Sequence, residues 1–321
     1  MTRRRRRKPT ITRKKKVRIL KPPSSVSEPK SRPFADFKTI NCSPAVKGKS
    51  VSEYSCLTPD ILLKIRDEYN ATNAATPISS ENPLQIWNEL RIRNSKCKSE
   101  DCWLRHVRDQ SLRRQIKKYV FAPSQPPDWK DNPREWLSNI DIEQVMKQYE
   151  IAHPRFKFIG PTFVDFSERK KANNHCVSQP LCDFSLADYR AKNIDCVGIV
   201  FNLSKYDDDE GTHWVSMFID IKNNFIFYLD SGGVRPPKSI DQFAKDVQAQ
   251  GTDMMYIKNK QQHQFGATEC GMYSLFFIIT MLTGKAGDTH LKTNQEKFDF
   301  FQQQRIPDRY MLDLRPEYFN P

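Results

Sequence analysis

The segment that begins at Cys270 is apolar on nearly every side of a helix. Its apolar residues are Met272, Tyr273, Leu275, Phe276, Phe277, Ile278, Ile279, Met281 and Leu282. Because a helix that is apolar all round is buried, this segment predicts a central helix against which the rest of a domain packs. Cys270 stands at its start, where the partial positive charge of a helix N-terminus stabilises a thiolate. Cys270 is therefore a candidate nucleophile, although a cysteine before an apolar helix is more often structural.

A glutamine stands six positions before this cysteine, in the sequence Gln264-Phe-Gly-Ala-Thr-Glu-Cys270. If the residues between them fold back, the Gln264 amide lies beside the thiol and can donate a hydrogen bond to an oxyanion. A thiol nucleophile also needs a base, which is usually a histidine close to it in space.

His213 is the best placed of the six histidines, because it opens a predicted strand that ends at Asp220. A turn-like stretch then leads to a second predicted strand, which closes at Asp230. In such a hairpin Asp230 lies opposite a residue within about two of His213, so the two side chains can touch. A carboxylate in that place fixes the histidine tautomer and stabilises the imidazolium. We expect His213 to be the base and Asp230 its orienter.

Each of these residues has an ordinary alternative. His213 can be a surface residue at a strand end, and Asp230, which precedes Ser-Gly-Gly, can be a turn residue. His263 is a rival base seven residues before Cys270, but no acidic orienter stands near it in the sequence. Asp220 is a rival carboxylate, but it lies at the far end of the hairpin from His213.

The net charge of +14 is concentrated at the N-terminus. Twelve basic residues and no acid occur among the first 21 residues, so residues 22–321 carry only +2. Such an arm cannot bury apolar surface and is expected to be disordered. Phosphate contacts of a nucleic acid are one role for it, and nuclear import and simple solubilisation are the others. The candidate nucleic-acid-binding residues are Arg3, Arg4, Arg5, Arg6, Arg7, Lys8, Arg13, Lys14, Lys15 and Lys16.

The eight cysteines give no clear disulfide signal. Their number is even, but the chain is long and has no apolar secretory core at its start. We therefore expect the cysteines to be buried thiols in a reducing compartment. Cys97, Cys102 and His106 resemble half of a zinc site, but a second pair with matching spacing is missing. No metal or cofactor is expected. No apolar run of about 18 residues predicts a membrane span.

The remaining pattern predicts three parts: a basic, Pro/Ser-rich arm over 1–50, a helical accessory module over 51–128 and an α+β domain over 129–321. Pro59 and Pro83 mark helix starts in the module, and Ser99 is a candidate cap for a third helix. In the α+β part the expected strands are 163–166, 196–203, 213–220, 225–230 and 254–258. The expected helices there are 140–151, 239–250 and the one after Cys270.

The order and spacing His213-Trp214, Asp230-Ser231, Gln264 and Cys270-Gly271 resemble the ubiquitin-like-protein-specific cysteine proteases. That family includes SUMO proteases, the adenoviral protease and processing proteases of large DNA viruses. Trp136-Leu137-Ser138-Asn139 resembles the entrance of its catalytic domain, so the resemblance covers roughly residues 130–285. It implies a papain-like-superfamily core, in which a central mixed sheet packs on the buried helix that carries the nucleophile.

The resemblance also implies a substrate. Trp136 and Trp214 correspond to two tryptophans that form a narrow tunnel over Gly-Gly in the family, although both can be plain core aromatics. Phe156–Phe166 and the helical lead, including Trp103, look most like the polyprotein-processing proteases of nucleocytoplasmic large DNA viruses such as African swine fever virus. The implied activity is cleavage of a structural precursor after Gly-Gly during virion maturation. The implied location is the virion and the host cytoplasm, and the nucleus is an alternative location.

Three alternatives remain open. A deSUMOylating or deubiquitinating isopeptidase is one, although no patch for a folded ubiquitin-like protein is evident. An acyltransferase with the same catalytic residues is another. A structural nucleic-acid-binding protein explains the arm but not the spacing of the site residues. Glu269 stands where many SUMO proteases have Asp, a conservative departure.

Overall fold

The structure is a computed structural model that describes residues 18–19, 37, 40–208 and 211–321. The ten candidate nucleic-acid-binding residues of the arm, and most of the arm itself, lie outside the described residues. Ordered structure begins before residue 51, because a 3-10 helix at Pro44–Val46 buries Val46 among the helices that follow.

The described residues form a mixed α/β fold. The helices are α1 Pro59–Thr72, α2 Pro83–Arg93, α3 Gln110–Val120, α4 Asn139–Ala152, α5 Gln179–Cys182, α6 Leu186–Ala191, α7 Lys238–Ala249, α8 Cys270–Thr283, α9 Asn294–Gln303 and α10 Asp308–Tyr318. Further 3-10 helices lie at Glu100–His106 and Pro127–Lys130. The strands are β1 Arg18–Ile19, β2 Phe156–Phe163, β3 Cys196–Asn202, β4 Trp214–Asp220, β5 Phe225–Leu229, β6 Met255–Lys258, β7 Lys285–Ala286, β8 Thr289–His290 and β9 Gln304–Arg305.

A five-stranded sheet in the order β2-β3-β4-β5-β6 forms the centre of the fold. The β3–β4 and β4–β5 pairs are antiparallel, whereas β2 pairs with β3 and β6 with β5 in parallel. Two short two-stranded pairs, β1 with β9 and β7 with β8, lie outside it. The hairpin of β4 and β5 is thus at the centre of the sheet.

Both faces of this sheet are covered. Trp214 and Phe218 of β4 join the core around α8, whereas Val215 and Met217 of the same strand join the core around α7. This explains why the strands read as continuous apolar runs, because alternate residues enter two different cores. Gly198 of β3 lets α8 approach closely, since a Cβ there would lie 2.7 Å from the Ile278 side chain.

The helix predicted after Cys270 is confirmed. Every residue of α8 from Cys270 to Met281 is buried. The helix ends at Thr283, and Gly284 caps it with a positive φ of 72°, which favours glycine. A separate apolar cluster is formed by buried side chains between Val46 and Phe121, including residues of α1, α2 and α3. No helix among the described residues is long and apolar enough to cross a membrane.

Two expectations from the sequence are wrong. Residues 164–166 form a turn rather than a strand, because the strand here is Phe156–Phe163 and ends where the predicted one begins. The segment after Ser99 is a 3-10 helix and not an α-helix.

The expectation of free thiols is also wrong for six cysteines, which form the disulfides Cys42–Cys56, Cys97–Cys102 and Cys176–Cys182. Folding brings each pair within bonding distance, which spacing alone did not reveal. Of the described cysteines, Cys196 and Cys270 remain free. The half zinc site at Cys97 and Cys102 is thus a disulfide.

Candidate active site

Cys270 is the first residue of α8 and is 1% exposed. Gly271 follows it, and a Cβ at this position would lie 3.0 Å from the Leu137 Cβ and 3.4 Å from the Trp214 Cδ1. The glycine therefore allows the start of α8 to pack directly against the segment before α4 and the first residue of β4. The Cys270 side chain therefore lies at the positive end of the α8 dipole.

His213 and Asp230 meet beside the nucleophile. In the hairpin register Ser216 faces Leu229, which puts Asp230 level with a residue two positions from His213. The His213 Nε2 donates to the Asp230 Oδ1 at 2.9 Å. This bond leaves Nδ1 as the ring nitrogen that can exchange a proton with Cys270.

The charge of His213 depends on these neighbours. Burial is the largest single effect on its pKa and lowers it, because a cation is poorly solvated there. The hydrogen bond to Asp230 and the interactions with Cys270 together outweigh burial and raise the pKa of His213 to about 10. The imidazole is therefore protonated at neutral pH.

Asp230 is held by groups that sequence reasoning missed. The Asn259 side chain accepts from the Asp230 N–H at 2.9 Å and donates to the Asp230 carbonyl oxygen at 2.8 Å. The backbone N–H of Gly232 donates to the Asp230 Oδ1 at 2.7 Å. Asn259 is buried and directly follows β6, next to β5. The signal that the sequence offers is its place just after the predicted strand 254–258.

Gln264 is buried in the same region, but its side chain is already engaged. Its Oε1 accepts from the Ser231 hydroxyl at 2.6 Å, and its Nε2 donates to the Gly266 carbonyl oxygen at 2.7 Å. Among the described residues no hydrogen bond joins this amide to Cys270. An amide nitrogen carries two hydrogens, so one donor remains for an oxyanion.

Of the two tryptophans named from the sequence, Trp214 lies against the start of α8, 3.4 Å from the position that a Cβ of Gly271 would take. Trp214 is 7% exposed, and its indole N–H donates to the Leu137 carbonyl oxygen at 3.0 Å. Trp136 directly precedes Leu137 and is partly exposed. The structure therefore brings the Trp136 segment against β4 and the start of α8.

The residue before the nucleophile carries a buried ion pair that sequence reasoning missed. Arg315 of α10 binds both carboxylate oxygens of Glu269, with its Nη2 at 2.9 and 3.0 Å and its Nε at 3.2 Å. The side chains are 5% and 3% exposed. Burial raises the pKa of the Glu269 carboxyl, and Arg315 opposes that shift. A separation of 46 residues hid this pair from local patterns.

The rival base is placed away from this role. His263 is fully buried, donates from Nε2 to the Phe301 carbonyl oxygen at 3.0 Å and accepts at Nδ1 from the Ile306 N–H at 3.3 Å. Burial lowers the pKa of His263 to about 4, so this ring is neutral and fully engaged. Asp220 accepts from Asn223 at the far turn of the hairpin.

Known proteins resemble this chain in sequence and in fold. Residues 154–313 match the family described as the Ulp1 protease family, C-terminal catalytic domain. A thiol protease of Acanthamoeba polyphaga mimivirus is 38% identical over 159 residues, which are 48% of this chain and 50% of that protein. The chain thus spans half the length of that relative.

African swine fever virus supplies a relative in both sequence and structure. One of its cysteine proteases is 24% identical over 239 residues, covering 70% of this chain and 83% of that protein. The crystal structure of the African swine fever virus protease superposes with a TM-score of 0.55 at 20% identity, covering 88% of this chain and 96% of the other. This likeness shows a shared fold.

Proposed function

Because the chain belongs to the Ulp1 protease family, a family of cysteine proteases, we propose that it is an endopeptidase that cleaves viral structural precursors after Gly-Gly. The observation that carries the proposal is the His213–Asp230 hydrogen bond of 2.9 Å beside a cysteine at the start of a buried helix. We assign the fold to the papain-like superfamily, with residues 129–321 as the protease domain and 51–128 as a helical accessory module.

Cys270 attacks the carbonyl carbon of the scissile peptide bond as a thiolate. The backbone N–H of Cys270 and the free amide hydrogen of Gln264 stabilise the oxyanion that forms. His213 then protonates the leaving amine from Nδ1, and a thioester remains on the sulfur. Water, deprotonated by the neutral His213, hydrolyses the thioester and restores the thiolate. Asp230 keeps the ring oriented throughout.

The specificity for Gly-Gly rests on Trp136 and Trp214. Two large rings above and below an extended backbone leave no room for a side chain, so only glycine fits between them. The support for this assignment is that Trp214 bonds to Leu137, which places the Trp136 segment next to Gly271 at the nucleophile.

The names of the relatives favour a second candidate function. The African swine fever virus proteins carry the names "Cysteine protease" and "SUMO-1 cysteine protease", so removal of a ubiquitin-like protein is the second candidate. We propose that the enzyme acts in the virion and in the host cytoplasm, where the basic arm, residues 3–16, concentrates it on nucleoprotein. Loss of low-salt DNA affinity on deletion of residues 1–21 would support that role, and unchanged affinity would contradict it.

Wild-type protein and the Cys270→Ala variant test the protease assignment. Purified protein is incubated with a peptide that contains Gly-Gly-X and with a matched Ala-Ala-X peptide. We expect rapid cleavage after Gly-Gly by wild type only. Equal cleavage by wild type and Cys270→Ala would contradict the assignment of Cys270 as the nucleophile. Equal rates on the Gly-Gly-X and Ala-Ala-X peptides would contradict the proposed specificity for Gly-Gly. Release of a SUMO tail without cleavage of the peptide would favour the second candidate, and acyl-CoA consumption without any cleavage would favour an acyltransferase.

A further inference from the structure

The C-terminal helix α10 points two charged side chains at the segment that carries the nucleophile. At its start Asp308 accepts from the backbone N–H groups of Phe265 and Gly266 at 3.0 and 2.9 Å, and from the Tyr273 hydroxyl at 3.0 Å. Two turns later Arg315 holds the Glu269 carboxylate. Residues seven apart lie on the same face of a helix. One face of α10 therefore binds both ends of the loop 265–269, which leads to Cys270.

Arg315 also reaches in the opposite direction. Its Nη1 donates to the Pro133 carbonyl oxygen at 2.8 Å, and its guanidinium lies 4.2 Å from the centre of the Trp129 ring. The Trp129 indole N–H donates to the Glu135 carbonyl oxygen at 3.0 Å. The Glu135 carboxylate accepts from the Trp136 backbone N–H at 3.0 Å. One guanidinium thus connects the residue before the nucleophile to the segment of Trp136.

We propose that Arg315 is a positioning residue that fixes the distance between Cys270 and the Trp136 wall of the substrate site. The proposal rests on the proposed function, because it needs a peptide that lies against Trp136. A planar guanidinium suits this role, since it binds Glu269 through two nitrogens, reaches a carbonyl with a third and stacks on an aromatic ring. Lysine carries the same charge but cannot hold all of these contacts at once.

The Arg315→Lys variant separates positioning from chemistry. Displacement of a bound substrate by about 1 Å can cost on the order of 100-fold in rate, so we expect kcat/KM on a Gly-Gly-X peptide to fall by about that factor. Alkylation of Cys270 by iodoacetamide needs no substrate wall, and its rate should change by less than about threefold. Equal losses in both rates would overturn the proposal, because the defect would then lie in the thiol. Wild-type kcat/KM in this variant would overturn it as well.

A second pair of variants removes a merely structural explanation. Arg315→Met alone leaves a buried carboxylate without a partner and should lower the melting temperature, because an unpaired buried charge is costly. Adding Glu269→Leu replaces the ion pair by apolar side chains, which is often neutral for stability. We expect the double variant to regain its melting temperature and to remain about 100-fold low in kcat/KM. Recovery of kcat/KM together with the melting temperature would overturn the proposal.

Arg309→Met is the matched control. Arg309 lies on the same helix and pairs with Asp313 at 2.9 Å, but its side chain is 73% exposed. We expect wild-type kcat, KM and alkylation rate in this variant. If wild type itself fails to cleave the Gly-Gly-X peptide, the proposed function fails before any variant is compared, so the two failures are distinguishable.

Discussion

The Trp214 indole N–H donates to the carbonyl oxygen of Leu137 across 77 positions of sequence, at 3.0 Å. This single bond attaches the residue after Trp136 to the first residue of the central hairpin strand. Through this bond the Trp214 ring, the segment that leads into α4 and the start of α8 lie in one contact region.

Trp214→Phe should weaken both the fold and substrate binding. Phenylalanine fills most of the space but cannot donate, so a buried carbonyl loses its partner at a cost of about 1–3 kcal/mol in the free energy of unfolding. We expect KM for a Gly-Gly-X peptide to rise by more than kcat falls. Urea unfolding and steady-state kinetics measure the two effects. Trp87→Phe is the control, because Trp87 donates to the buried Glu100 in the accessory helices and its loss should change stability without changing KM.

Asp230→Asn should shift the pH profile downward on its alkaline side. The pKa of His213 is raised to about 10, so the imidazolium and the stability it contributes are fully present below about pH 6.5 and are lost as pH rises through about 10. An amide cannot stabilise the imidazolium as a carboxylate does, so the alkaline limb of kcat/KM should move below pH 10, with kcat lowered roughly 10²–10⁴-fold.

Asp220→Asn, at the other end of the hairpin, is the control for that experiment. It should leave the profile unchanged. An alkaline limb that stays in place in Asp230→Asn would argue that His213 does not set it.

Asn259→Ala should remove the side-chain hydrogen bonds that hold the Asp230 backbone, without changing any residue proposed to contact the substrate. Two buried backbone groups of Asp230 lose their partners, and each unsatisfied group costs about 1–3 kcal/mol, so we expect a loss of at least about 2 kcal/mol. The His213–Asp230 bond should loosen, and kcat should fall while KM changes little. Asn223→Ala removes an exposed amide from the hairpin turn and should do neither.

The disulfides predict a thiol count. Protein purified without reductant and unfolded in guanidinium should react with a thiol reagent at two positions, Cys196 and Cys270, and at eight after reduction. A double change of Cys42→Ser and Cys56→Ser should cost about 3 kcal/mol, because that bond closes a loop of roughly 15 residues. Cys196→Ser should cost much less. Eight reactive thiols before reduction would contradict the pairing.

Local sequence patterns predicted much of the fold. The features that they missed depend on contacts between residues far apart in the sequence. The apolar run after Cys270 and the short turn after Asp220 predicted α8 and the central hairpin, because both depend on residues close in sequence. The Glu269–Arg315 pair and the role of Asn259 depend on chain segments that meet only after folding. The disulfide Cys176–Cys182 was missed for a different reason, since spacing does not tell a bonded pair from two thiols.

The position of Arg315 bears on how the catalytic domain is defined. The match to the family ends at residue 313, two residues before the guanidinium that holds Glu269. A fragment cut at that boundary would retain Cys270, His213 and Asp230 and yet leave a carboxylate beside the nucleophile buried without its counterion. We therefore expect the smallest active unit of this protease to extend beyond residues 154–313, the region that the family match delimits.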